Sequence, residues 1–259
     1  GGQVDVDIDV CVATLLADGT KPLTIATSDK TLFATNFDVT GYTALTGTKY
    51  SFDNWKLHSG AFLELPPGSG STYTIGKYLA LAEAGSTLAI SNGTLNITAA
   101  GTDGTGLFRN ADLHVMNGGI LKFSAGWISG YSNAREITID KGGLWRLDGM
   151  DATGRAIVLN GGNIELNVPG RAWELRSTSI DVQDDSKITD VTSGGKAQTS
   201  IVDYDLAVRV AEGKTLTIDA EIITSGTMKN QSTGKGIRKA GKGEMIFLRE
   251  LKHSGTNLV

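Results

Sequence analysis

Cysteine is nearly absent: Cys11 is the single thiol in 259 residues. One thiol cannot close an internal disulfide, so no disulfide framework holds this chain together. Within Val-Asp-Val-Asp-Ile-Asp-Val-Cys-Val it reads as a small core residue rather than a nucleophile. Secreted repeat proteins often do without disulfides, so the low count is compatible with an oxidising compartment as well as a reducing one. Proline is scarce, with 4 residues, so turns fall mainly to Gly, Asn, Asp and Ser. No run of about 18 apolar residues exists, which excludes a transmembrane helix. No segment carries a helical stripe of about ten residues, which excludes leucine-rich, ankyrin and tetratricopeptide repeats. The three histidines, His58, His114 and His253, are scattered without zinc-site spacing. Neither a Gly-x-Ser-x-Gly elbow nor a phosphate loop is present. No signal peptide is visible. Gly1-Gly2 reads as an internal start, and the chain as a piece of a longer polypeptide. The net charge of −4 gives no support to nucleic-acid binding.

Glycine, by contrast, is plentiful at 34 residues, and it is placed with a rhythm. Ile137-Thr138-Ile139 leads to Gly142-Gly143 and then Trp145-Arg146-Leu147. Val158-Leu159 leads to Gly161-Gly162 and then Ile164-Glu165-Leu166. Leu113-His114-Val115, Gly118-Gly119 and Leu121-Lys122-Phe123 form another copy. Looser copies run from Leu79 through Ile180-Asp181-Val182 and Leu206 to Val210, ending at Ile237 to Phe247. The copies recur at roughly 20 to 30 residues, the window of solenoids. Short alternating strands meeting Gly corners, repeated in one direction, predict an all-β parallel β-helix of about ten coils. At a strand spacing of about 4.8 Å this makes a rod roughly 50 Å long. Inward Leu, Ile and Val then pile into ladders, and no coil is stable alone. Residues 79–259 are read as the regular coils. Residues 1–78 are less regular and read as an N-terminal cap with the first coils; Pro66-Pro67-Gly68-Ser69-Gly70-Ser71 marks a loop.

Two features of the first part bear on binding. Val4, Val6, Ile8 and Val10 alternate with Asp5, Asp7 and Asp9, which places three carboxylates on one strand face. A solvated face that discourages edge pairing explains them; with carbonyls from a loop they would hold calcium. Tyr42, Tyr50, Trp55 and His58 lie near polar loops. They read either as a carbohydrate-stacking platform or as aromatics plugging the end of an elongated core.

The stretch Gly236-Ile237-Arg238-Lys239-Ala240-Gly241-Lys242-Gly243-Glu244-Met245-Ile246-Phe247-Leu248, followed by Ser254-Gly255-Thr256, resembles the autotransporter-associated β-strand repeat. Lys239, Gly241, Gly243, Met245, Phe247, Gly255 and Thr256 fall in its register. The Asn-x-Tyr usual before the last Gly is missing, with Lys252-His253 near its place. The resemblance implies a right-handed, passenger-type β-helix of a bacterial protein, secreted or displayed at the outer membrane. It implies no catalytic residue and no cofactor. A glycan or host-surface protein is the expected partner, and the expected state is a monomer that does not itself insert into a membrane.

Enzymes also use this architecture, so a polysaccharide lyase or hydrolase stands as the alternative. Its acids would come from Asp181, Asp184, Asp185 and Asp190, with Arg171 and Arg176 upstream, or from Asp203 and Asp205, with Arg209 following. Solvated turn and strand-face acids explain both groups without chemistry. A phage tail-fibre segment is the third reading, and it predicts an obligate trimer.

Overall fold

The computed structural model describes residues 2–18, 22–27, 29–75, 80–98, 110–124, 136–149, 151–153, 156–176, 179–195, 197–202, 205–224, 236–249 and 251–252. Among them every strand ladder is parallel, and each strand pairs with its counterparts in adjacent turns. The architecture is an all-β, right-handed parallel β-solenoid with a differently built N-terminal region. One face is an 11-stranded sheet running from Gly2–Val6 to Ile237–Ala240, and the next is an 8-stranded sheet from Thr72–Ile75 to Glu244–Phe247. The rest of each turn contributes a 4-stranded sheet early in the chain, Val10–Ala17 to Ala80–Ala82. Later it contributes a 5-stranded sheet, Asp151–Thr153 to Leu251–Lys252. The 11-stranded sheet crosses residue 78 without a break, because Phe62–Leu65 pairs with Thr87–Ile90.

Period-two alternation builds the interior. In the 11-stranded sheet, Leu63, Leu88, Leu113, Ile137, Ile157, Ile180 and Val208 stack in one column. Leu65, Ile90, Val115, Ile139, Leu159, Val182 and Val210 form the parallel one, and all of these are buried. Removing such surface from water stabilises by about 25 cal/mol per Å², and each ladder gains only because the neighbouring turn is present. Larger rings fill the wider parts: Phe123, Trp145 and Trp173 meet edge to face with centroids 5.4 Å apart.

The early turns differ in how the chain bends. Val10–Ala17, Leu32–Val39 and Tyr50–Leu57 are eight-residue strands without a glycine pair. Their alternation slips midway, so Ala34 and Phe37, or Phe52 and Trp55, both point inward. Thr14, Asn36 and Asn54 stack at the slip, and Asn54 Nδ2 donates to Asn36 Oδ1 at 2.9 Å.

Two sequence expectations are corrected here. The Val4 to Val10 alternation is two strands, Gly2–Val6 and Val10–Ala17, separated by a corner at Asp7–Asp9. Val4 does lie in register with inward Ile25, but at the outermost strand it is exposed, as is Ile8 in the corner. Cys11 is exposed rather than a core residue. It stacks in register with exposed Phe33, on the outward parity between Val10 and Val12.

The Gly-Gly corners show why the second glycine is needed. A Cβ on Gly119 would lie 2.3 Å from the Ile90 carbonyl oxygen of the adjacent turn, a contact that only a shift of backbone relieves. Replacing Gly119 by Ala is therefore expected to lower stability by about 1–3 kcal/mol, the usual cost of overpacking. Urea unfolding is the measurement, and a loss within about 0.5 kcal/mol, the ordinary surface range, would reject the corner contact as a constraint.

Candidate functional site

The parity that drives Leu and Ile inward sends the residues between them onto the outer face of the 11-stranded sheet. One outward column runs from Tyr42 and Phe62 through Thr87, Asp112, Glu136, Ala156, Ser179 and Ala207 to Arg238. Tyr42 and Phe62 occupy adjacent turns at strand spacing, so their rings stack, with centroids 5.2 Å apart and planes 8° from parallel. Beyond Phe62 the column changes to the short Thr87, and the far face of the Phe62 ring looks onto open space.

That space is a groove of about 460 Å³ lined by Phe62, Thr87, Asp112, Leu113, His114, Glu136, Thr138 and Ala156. Its polar groups are held in place by short contacts within and across turns. His114 Nε2 lies 2.8 Å from Asp140 Oδ2. The Glu136 backbone N–H donates to Asp112 Oδ1 at 3.1 Å, and Thr138 Oγ1 donates to Glu136 Oε1 at 2.6 Å. At the aromatic end, the Tyr42 hydroxyl and the Ser91 hydroxyl both donate to Glu64. The hydrogen bond to Glu64, with burial adding, pushes the Tyr42 phenol up to about 12, so it remains a neutral donor at ordinary pH. An aromatic face beside fixed hydroxyls, carboxylates and an imidazole is suited to a ligand with one apolar face and a rim of hydroxyls.

The sequence-predicted aromatics do not form one group. Tyr42 is on this outer face, 37% exposed. Tyr50 and Trp55 are buried with Phe37, Phe52 and Tyr73, ring against ring. The Tyr50 hydroxyl lies 2.6 Å from the Ile25 and 2.7 Å from the Thr46 carbonyl oxygen, which share its one proton, and burial pushes its pKa up to about 12. His58 sits at a corner, its Nδ1 3.4 Å from Glu83 Oε1.

Asp5, Asp7 and Asp9 are spread over the first strand and the corner that follows. Gln3 Nε2 donates to Asp5 at 2.7 Å, and the Thr31 N–H donates to Asp9 at 2.8 Å. Among the described residues no three His, Cys, Asp or Glu side chains are gathered so as to hold a metal ion.

The later acids are likewise dispersed. Asp181 pairs with Arg209 at 3.3 Å, and Asp184 with Lys214 at 2.6 Å. Asp185 Oδ1 accepts from the Thr215 N–H at 2.8 Å, and buried Asp190 meets Arg249 at 3.0 Å. Asp205 pairs with Arg238 at 2.7 Å, and Arg176 with buried Glu174 at 2.8 Å. Asp203 and the Arg171 side chain lie outside what the structure describes.

Of the repeat-motif residues, Lys239 is in register with inward Val208 at the last described strand of its sheet. Its Nζ donates to the Gly241 carbonyl at 3.0 Å. Gly241 and Gly243 form the corner, where added Cβ atoms would each come within 2.1 Å of a carbonyl oxygen of the adjacent turn. Met245 and Phe247 are half-buried on the following strand. Gly255 and Thr256 lie outside the described residues.

Phe62, Thr87, Asp112 and Glu136 were not singled out from the sequence as site residues. Their outward parity was readable within each strand. Their neighbourhood was not, because it depends on which residue of one turn lies over which residue of the next. The chain matches no protein-family model, and no curated protein or solved structure is significantly similar to it. No helix among the described residues is long and apolar enough to cross a membrane.

Proposed function

We propose that this chain is a non-catalytic β-helix passenger of a secreted or surface-displayed bacterial protein, an adhesive stalk that binds glycans along the outer face of its 11-stranded sheet. The observation that carries the reading is the open face of Phe62, backed by Tyr42, at the head of a groove lined with hydroxyl and carboxylate groups. A pyranose ring lays its C–H face on such an aromatic ring and turns its hydroxyls to the polar floor. The likeness of residues 236–248 to the autotransporter repeat supports the placement at a bacterial surface.

Calorimetric titration with neutral linear oligosaccharides is the test. Phe62 points outward, so Phe62→Ala leaves the interior ladders in place. It is expected to weaken binding at least about tenfold, or roughly 1.4 kcal/mol. Equal affinity in wild type and variant would reject the groove as the site. The alternative, a carbohydrate-active enzyme, draws on the adjacent-turn carboxylates Asp112 and Glu136. Depolymerisation of a polysaccharide by the purified chain would replace the stalk reading with that one. Sedimentation is expected to give a monomer; an obligate trimer would favour a tail-fibre segment.

A further inference from the structure

The outward column that carries Asp112 and Glu136 in its first half ends at a cation, Arg238. Where it reaches Ser179, Ala207 and Arg238 a second hollow opens, of about 360 Å³, with Arg209, Lys239 and the carboxylate Asp181 also on its wall. Arg238 Nε is bonded to Asp205 at 2.7 Å and Arg209 Nη1 to Asp181 at 3.3 Å, yet their side chains are 62% and 66% exposed. A guanidinium carries five N–H donors, so each of these pairs uses one and leaves others for a ligand in the hollow. Ala156 lines the end of the first groove, and its neighbour in the column is Ser179 of the second. Only short side chains stand between them.

We infer that the face takes a linear oligosaccharide laid along the solenoid axis, its neutral residues toward Phe62 and a single acidic sugar at the Arg209–Arg238 end. The inference rests on the glycan-binding reading above and adds the ligand's charge and direction. An extended pyranose chain advances by close to one strand spacing per residue, so successive sugars meet successive turns. Charge decides the direction. Asp112 and Glu136 flank the Phe62 end and repel an acid group placed there, whereas the two arginines attract one. Glu136 and Arg238 lie four turns apart in the column, about 19 Å at strand spacing. That exceeds the Debye length of about 8 Å at physiological salt, so the carboxylates of the Phe62 end scarcely oppose an acid at the arginine end; the aspartates there, Asp181 and Asp205, are each already paired with an arginine. A uniform polyanion would carry acid groups over the carboxylates as well.

The test compares three probes by titration calorimetry: a neutral linear hexasaccharide, the same chain capped at one end by a uronic acid, and an all-uronate hexasaccharide. The cap is expected to tighten binding about tenfold at low salt, with the gain fading at high salt. The Arg209→Gln/Arg238→Gln double variant is expected to lose that gain while binding the neutral probe as wild type does. Arg209→Lys/Arg238→Lys is expected to keep part of it. The all-uronate probe is expected to bind no tighter than the neutral one. A gain that survives in the glutamine variant overturns the inference, as does a cap without effect or an all-uronate probe that binds tightest. In those cases Phe62-dependent binding of the neutral probe leaves the glycan reading standing. If none of the three binds, both fall.

Discussion

Trp145→Ala is expected to cost about 3–5 kcal/mol, the range for truncating a large buried aromatic. Trp145 is fully buried, with Phe123 on one neighbouring turn and Trp173 contacting it at 5.4 Å from the other side. Truncation leaves a hole that neither neighbour can fill without leaving its own ladder. The ring also carries a cost: its Nε1–H is buried and finds no acceptor among the described residues. Trp145→Phe gives up less volume and removes that donor, so it is expected to cost roughly 1–2 kcal/mol. Urea midpoints compare the two variants. Hydrogen exchange locates the damage, which should centre on the turns around 113–175, because a solenoid passes strain to its nearest neighbours. Equal losses for Ala and Phe would mean that the indole nitrogen contributes something this packing does not account for.

The second large effect is expected at Arg249. Its Nη1 donates to Asp190 at 3.0 Å and to the Gly195 carbonyl at 2.9 Å, and its Nε donates to Asp219 at 2.9 Å. One side chain thereby ties its own corner to those of two other turns. The hydrogen bond to Asp219 leads the effects that hold its pKa above the ordinary arginine value, so the charge is permanent. Asp190 has a fully buried side chain, and its position in register with Leu166 belongs to an inward column. Arg249→Met keeps the aliphatic stem but leaves Asp190, among the described residues, with Thr192 and the Ala197 N–H as its donors. A buried carboxylate stripped of its counter-charge costs about 3–5 kcal/mol when wholly unpaired. With those donors retained, about 2–4 is expected. In an Asp190→Asn background the same change is expected to cost under about 1 kcal/mol, as for a partly exposed pair with Asp219. Equal costs in both backgrounds would show that the clamp acts through packing alone. Arg249→Lys is expected to recover only part of the loss, because an ammonium cannot present the planar fork that serves three acceptors.

Much of the fold was legible in particular residues. Ile137 to Leu166 spells strand, glycine pair and strand twice, and those segments are stacked parallel strands. The early turns were harder because their eight-residue strands change parity midway. Residues such as Asp53 and Asn54 put both Phe52 and Trp55 inside, which a strict period of two does not allow. The same slip carries Tyr50 and Trp55 into the core while Tyr42, on a strand without one, stays outside. Cys11 errs in the other direction: a hydrophobic neighbourhood in sequence suggested burial, and parity placed it outward.

Local sequence determined that these segments are strands, that glycine turns the chain between them, and which side chains of each strand point in or out. Those outcomes follow from sterics and from alternation within a few residues. Only the tertiary structure decided that Phe62 stands over Thr87, that Glu136 leads on to Ala156, and that the column ends at Arg238. Turns of unequal length must first be brought into register by backbone hydrogen bonds. A groove along the axis is a property of that register, and no single turn contains it.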